Sequence, residues 1–437
     1  MLSIIGLFTI LAIILLLLWG KISPIIGLVI IPIIGALIAG FGFPEIAGYY
    51  TQGIEKVMSV VIMFIFAILY FGVMQDVGLF DPIINKMIKI SGANVVAISA
   101  GTVIIAAIAH LDGSGASTFL ITIPALLPLY KRLRMSPYLL LLLVGTSASI
   151  VNMVPWGGPL GRVGAILGTD PSILWRPLIP LQIIGLVLAI VMAIILGTRE
   201  KIRISRLVDL NGSTSEAENE GPKETDASDS TKQTHSKFLW FNFLLTLGTV
   251  GILLWGIIPA GLTFMMALSI ALPLNFRKVE KQMERIKAHA PNALLMAAII
   301  LSAGSFLGIL GGTGMLNSLA VDLVKILPEF IVPKLHLVIG FLGVPFEIIL
   351  NTDAYYFALF PVIEQIVTTI GVDSLSATYA MIIGNIIGTF ISPFSPALWL
   401  ALGLAGANMG KHIRYSFFWM WGFSIVLMII AAFLGIY

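Results

Sequence analysis

Apolar residues run along this chain in long blocks, and the blocks have the length that crosses a bilayer, about 20 residues. Residues 2–19, 22–41, 57–79, 173–196, 238–256, 257–274, 293–314 and 415–436 are such blocks. Two further runs, 138–153 and 377–391, break into Pro155-Trp-Gly-Gly-Pro-Leu-Gly-Arg162 and Ser392-Pro-Phe-Ser-Pro396. No continuous helix accommodates those prolines, so broken helices are predicted near 138–170 and 377–408. Residues 80–91 and 315–329 carry charges at helical spacing and are too polar to span, which predicts helices lying along the interface. The most informative blocks are two that polar residues interrupt midway, His110-Leu-Asp-Gly-Ser-Gly-Ala-Ser-Thr118 and Leu350-Asn-Thr-Asp353. Charge inside a membrane is costly and usually faces a cavity or a substrate. Glycines there open the backbone, which is tolerated only where protein or water satisfies the freed amides.

The two halves of the chain repeat this order. Residues 72–90 align without gaps on 308–326, so that Gly72, Gly78, Lys89 and Ile90 recur as Gly308, Gly314, Lys325 and Ile326. Asp112 then falls opposite Asp353. Each half reads as three spans, an interfacial arm, an interrupted segment, a broken helix and one more span. The positive residues decide how the interrupted segments run. If both crossed fully, the base of the second would face the cytoplasm, yet residues 364–377 hold no lysine or arginine. If both are re-entrant hairpins, near 93–131 and 333–366, the basic clusters at 131–134, 199–206, 277–287 and 411–414 all fall inside. Lys56, Arg176, Lys325 and Lys334 then form the smaller outside set. The prediction is an all-α polytopic membrane protein with two inverted repeats, 1–206 and 238–437. It has about ten transmembrane helices, two re-entrant hairpins and two broken helices. That is an architecture of transporters.

Composition agrees: hydrophobic residues make up 58% and charged residues 11%, with mean hydropathy +1.03, against about one quarter charged in a soluble domain. A net charge of +3 is no nucleic-acid signature. The absence of cysteine excludes disulfides, thiolate metal sites and thiol catalysis. The first apolar run lacks a basic leader and a small-residue cleavage site and is expected to be a retained helix. Residues 207–237 differ in kind: rich in Ser, Thr, Asn, Glu and Asp, they are expected to be a disordered cytoplasmic linker.

Two hairpin tips and two broken helices meeting at mid-depth bring helix N-termini together, which suits an anion. Arg162 follows the Trp156-Gly157-Gly158-Pro159 string and offers a planar pair of donors to a carboxylate. Ser114, Ser117, Ser147, Asn152, Asn351, Thr352, Ser392 and Ser395 can orient carboxylates or hydroxyls. The small residues Gly157 and Gly158 let a ligand approach the backbone. Asp112 and Asp353 are candidates to coordinate a metal ion, to carry protons, or both, with helix capping as the plain alternative. Glu347 and His110 are further candidates for carrying protons.

The strings His110-Leu-Asp-Gly-Ser-Gly-Ala-Ser117, Asn152-Met-Val-Pro-Trp-Gly-Gly-Pro-Leu-Gly-Arg162 and Asn351-Thr-Asp353 resemble the citrate–metal–proton symporter family of the ion transporter superfamily. The resemblance covers nearly the whole chain, and Pro-Trp-Gly-Gly-Pro followed by arginine is its most specific part. It implies a multi-pass protein of the cell membrane that takes up citrate complexed with a divalent metal, Mg²⁺ or Ca²⁺, driven by protons. It implies no permanently bound cofactor, a homodimer, and elevator-like movement. The first tip, Asp112-Gly-Ser114, departs from the Ser-Asn-Thr signature of the sodium-coupled dicarboxylate branch, which favours protons over sodium.

A permease for gluconate, a dicarboxylate or another small carboxylate is the nearest alternative. A membrane-embedded aspartyl protease is remote, because neither aspartate sits in a Tyr-Asp or Gly-x-Gly-Asp setting. No His-Glu-x-x-His or Gly-x-Ser-x-Gly string occurs either.

Overall fold

A computed structural model describes residues 1–19, 21–79, 81–82, 94–211 and 238–437. The apolar blocks are helices, because in hydrocarbon each backbone amide and carbonyl must be satisfied within its own segment. The chain opens with α1 (Leu2–Leu18), α2 (Pro24–Ile38) and α3 (Phe43–Asp76). α3 is longer than predicted. The residues before 57 join the span in one 34-residue helix, whose start is fixed by Pro44 and by Glu45 Oε2 accepting the Gly42 amide at 2.8 Å.

Next come α4 (Val95–Ala109), a 3₁₀ turn (His110–Asp112) and α5 (Gly115–Arg132). The first broken helix is α6 (Pro137–Val151) and α7 (Gly158–Leu167), followed by the short α8 (Pro171–Trp175) and the long α9 (Ile179–Asn211). Residues 207–211 of the predicted linker are therefore helical, a correction of its start; 212–237 lie outside the described residues. So does the predicted arm at 80–91, apart from Asp81 and Pro82.

The second half opens with α10 (Leu239–Trp255), α11 (Ala260–Asn275), α12 (Val279–Gly312) and α13 (Met315–Ile326). α12 draws most of the basic cluster at 277–287 into its first turns. The second interrupted segment is α14 (Leu335–Phe341), α15 (Gly343–Ile349), a π-helical turn (Ala354–Leu359) and α16 (Phe360–Thr369). α14 and α15 meet at a 66° bend that the sequence pattern does not announce. The second broken helix is α17 (Ser374–Ile386) and α18 (Pro396–Ala405), and α19 (Met409–Phe433) ends the fold.

Among the described residues, five helices are long and apolar enough to cross a membrane alone: Phe43–Asp76, Val95–Asp112, Pro171–Arg206, Val279–Gly312 and Met409–Phe433. α1, α2, α10 and α11 are equally apolar but shorter, at 17, 15, 17 and 16 residues. The architecture is all-α and polytopic.

Where lipid removes the hydrophobic drive between helices, small residues that let backbones touch take its place. The crossing of α3 and α12 is built this way. A Cβ on Gly53 would stand 2.0 Å from the Gly304 carbonyl oxygen, and one on Gly308 would stand 2.2 Å from that of Tyr49. Both helices end two residues before a left-handed glycine, Gly78 (φ 70°) and Gly314 (φ 72°). α11 packs on α3, and α2 packs on α12. Beside this pair, α4 lies against α6 and α9, and α14 and α15 lie against α17. There Gly340 and Gly384 are in backbone contact: a Cβ on Gly384 would be 1.9 Å from the Gly340 oxygen.

Candidate functional site

The first tip forms because α4 loses its register at His110. Gly113 takes φ +72°, and Asp112 Oδ1 accepts the Ser114 amide at 2.8 Å. Ser114 then caps α5, accepting the Ser117 amide at 3.4 Å. Thr118 Oγ1 gives its single proton to the Ser114 carbonyl at 2.8 Å, so His110 Nδ1, 2.7 Å away, donates to Thr118. His110 Nε2 is buried without a hydrogen-bond partner among the described residues. Asp112 itself is half-buried.

The first break is anchored to this tip. Trp156 Nε1 donates to the Leu111 carbonyl at 2.8 Å, and the indole stacks on Phe71 of α3 at 4.9 Å. A Cβ on Gly157 would be 2.1 Å from the Asn152 oxygen, so only glycine permits this turn. A Cβ on Gly158 would be 2.6 Å from Arg162 Nη1, so that glycine lets the guanidinium fold back over the first turn of α7.

The second tip meets that guanidinium. Arg162 Nε and Nη2 both donate to Asp353 Oδ1, at 2.8 and 2.7 Å, with side chains only 11% and 14% exposed. Asp353 Oδ2 has no partner among the described residues. Arg162 also lies 5.8 Å from the Phe357 ring centre. Behind the tip, Thr352 Oγ1 donates to Glu347 Oε2 at 3.4 Å. Glu347 is fully buried, and among the described residues its Oε1 has no hydrogen-bond partner; nor has Asn385 Oδ1 on α17.

These elements enclose a cavity of about 370 Å³. Of the residues predicted for the site, His110, Asp112, Ser114, Ser117, Asn152, Gly158, Arg162, Thr352 and Ser395 line it. Asp353 reaches it through Arg162. The others do not line it. Ser147 spends its hydroxyl on the Val103 carbonyl at 2.7 Å, tying α6 to α4. Gly157 shapes the turn, Asn351 accepts the Ala354 amide at 2.7 Å, and Ser392 is buried with its hydroxyl accepting the Phe394 amide. Glu347 sits beneath the second tip.

The opposite wall was not predicted. It comes from α3, with Gly72 and Gln75, and from α12, with His289 and Asn292; Thr389 of the second break adds a hydroxyl. The signal was present: 289, 292, 296 and 299 share one face of a helix. The basic cluster at 277–287 just before them carries the topology signal of a cytoplasmic end. Among the described residues, no group of three or more His, Asp or Glu is placed to hold a metal ion.

A family model described as "Citrate transporter" matches residues 4–384. The chain belongs to the citrate transporter family. This family member is 35% identical over 436 residues to a protein of Bacillus subtilis (strain 168) named "Citrate transporter", with 100% of this chain and 99% of the relative covered. It is 34% identical over 435 residues to the "Mg(2+)/citrate complex secondary transporter" of the same organism, at the same coverage. Among solved structures, it resembles the YdaH transporter of Alcanivorax borkumensis, with TM-score 0.51, 15% identity, and 90% and 88% of the two chains covered. That likeness speaks for the fold. This member of the citrate transporter family is thus a multi-pass membrane transporter and not an enzyme.

Proposed function

We propose that the protein imports citrate as its complex with a divalent metal ion, coupled to protons, by elevator-like alternating access. The Arg162–Asp353 pair on the cavity wall carries the reading. Fully ionised citrate has about three negative charges, and bare charge at mid-membrane costs several kcal/mol each. A divalent ion cancels most of it, and citrate oxygens are the hard ligands Mg²⁺ or Ca²⁺ takes. The arriving complex can then exchange partners with the resting pair. A citrate carboxylate replaces Asp353 on Arg162, and the metal replaces Arg162 beside Asp353. Neither buried charge is left alone, the condition under which breaking such a pair is strongly unfavourable. Asp112, which accepts the Ser114 amide on the cavity wall, is the second carboxylate for the metal or for a proton. Glu347 and His110 are the buried groups assigned to proton coupling, each with an unsatisfied atom. The sparse protein ligand set fits a metal held mainly by its cargo.

Inverted repeats at 1–206 and 238–437 form the frame of this proposal. Support comes from α3 and α12: equal in length, ended alike, and packed on each other. Re-entrant hairpins near 93–131 and 333–366 fit the side-by-side packing of α4 with α5 and of α14 with α16. On the positive-inside reading the basic start of α12 is cytoplasmic. The cavity, which reaches His289 and Asn292 near that end, is then the inward-facing vestibule.

Uptake of labelled citrate into proteoliposomes tests this, with Mg²⁺, Ca²⁺ or chelator and with or without an imposed pH gradient. Uptake that needs both a divalent ion and the gradient is expected. Full uptake in chelator would favour the alternative, a proton- or sodium-coupled permease for another small carboxylate.

A further inference from the structure

The wall formed by α3 and α12 holds a polar group that no part of the partner exchange uses. His289 Nε2 and Asp76 Oδ2 are 2.9 Å apart across the α3–α12 contact, and Arg285, one turn before His289, has Nη1 3.6 Å from the same oxygen. The imidazole lies against Gly72: a Cβ there would be 2.4 Å from His289 Cγ and 2.5 Å from Nδ1. Gly72, Gln75, His289 and Asn292 all line the cavity. Nδ1 has no hydrogen-bond partner among the described residues. A carboxylate on one ring nitrogen fixes both tautomer and ring orientation, leaving the other nitrogen for a ligand. His289 is therefore a pre-oriented imidazole on the wall opposite the tip that carries Asp112.

We propose that His289, held by Asp76 across the α3–α12 contact and seated over Gly72, is a cargo contact that sets citrate affinity in the inward-facing state. This rests on the elevator reading above. The hairpins and broken helices carry the cargo between the two sides, whereas α3 and α12 stay behind. The cargo meets His289 only when the cavity is on the cytoplasmic side. The free Nδ1 suits a citrate hydroxyl or a metal-bound water. His289 is a specificity residue of one face of the transport cycle, in contrast to Arg162, which travels with the cargo.

The test compares KM for labelled Mg²⁺–citrate from the two sides of the membrane, in right-side-out and inside-out vesicles holding the full-length protein. His289→Gln and Asp76→Asn should raise the cytoplasmic-to-external KM ratio about fivefold, the loss of one net hydrogen bond. Gly72→Ala retains the histidine but pushes its ring aside, and should raise the ratio in the same direction. It also covers the case in which a variant of the pair fails to insert. Equal shifts on both faces, or an unmoved ratio in the variants that insert, overturn the assignment while leaving citrate transport standing. A wild type that moves no citrate overturns both.

Discussion

The two polar tips each carry one aspartate in an interrupted apolar block, yet they end in different surroundings. Asp112 follows a helix that is regular up to His110, accepts the Ser114 amide, and faces the cavity. Asp353 follows a limb bent by 66°, opens a π-helical turn, and is held by an arginine from the other half of the chain. Single-turn π segments of this kind are frequent at functional sites. One carboxylate lines the cavity; the other is already paired with a guanidinium. In the alternating-access cycle proposed above, the two aspartates divide a task, one meeting the cargo and one exchanging partners with it.

Removing the arginine should erase that division. Arg162→Ala leaves Asp353 buried and unpaired and the cargo without its fork, and should lower the initial rate of citrate uptake at least about a hundredfold. Near-normal uptake by a protein that inserts normally would take Arg162 out of the site. The aspartates should then separate. Asp353→Asn frees Arg162 from its internal anion, so metal-free citrate should bind about tenfold tighter, some 1.4 kcal/mol. Asp112→Asn should leave metal-free binding alone and weaken the gain that Mg²⁺ confers. Calorimetry with and without chelator reads both, and identical behaviour would dissolve the distinction. Glu347→Gln should come next, slowing gradient-driven uptake about tenfold while citrate exchange at equal pH persists, the signature of lost proton coupling. Loss of exchange as well would point to a structural carboxyl. Smallest is Ser147→Ala, which breaks a buried bond away from the cavity. It should cost about 1 kcal/mol of stability, seen as a lower Tm, with transport kept.

Much of this was legible in the chain. The interrupted blocks announced both tips, since an aspartate inside apolar sequence has few other uses. The Pro155–Arg162 string announced the break and the arginine. Illegible were the features that depend on which helix neighbours which. Ser147 has the right chemistry, but α4 lies close enough to claim its hydroxyl. His289 follows a basic cluster in sequence, and only the fold shows α3 bringing Asp76 and Gly72 beside it. The length of α3 was also hidden. Its polar first turns read as a separate amphipathic piece, yet nothing between Phe43 and Asp76 interrupts the backbone.

Gly53 and Gly304 come from different halves of the chain and meet with no side chain between them. The seam that joins the halves is therefore internal, and covalent continuity through residues 212–237 is not what aligns them. Fragments 1–211 and 238–437, made separately in one cell, should find each other in the bilayer and purify as a pair. A single methyl group at residue 53 should suffice to keep them apart.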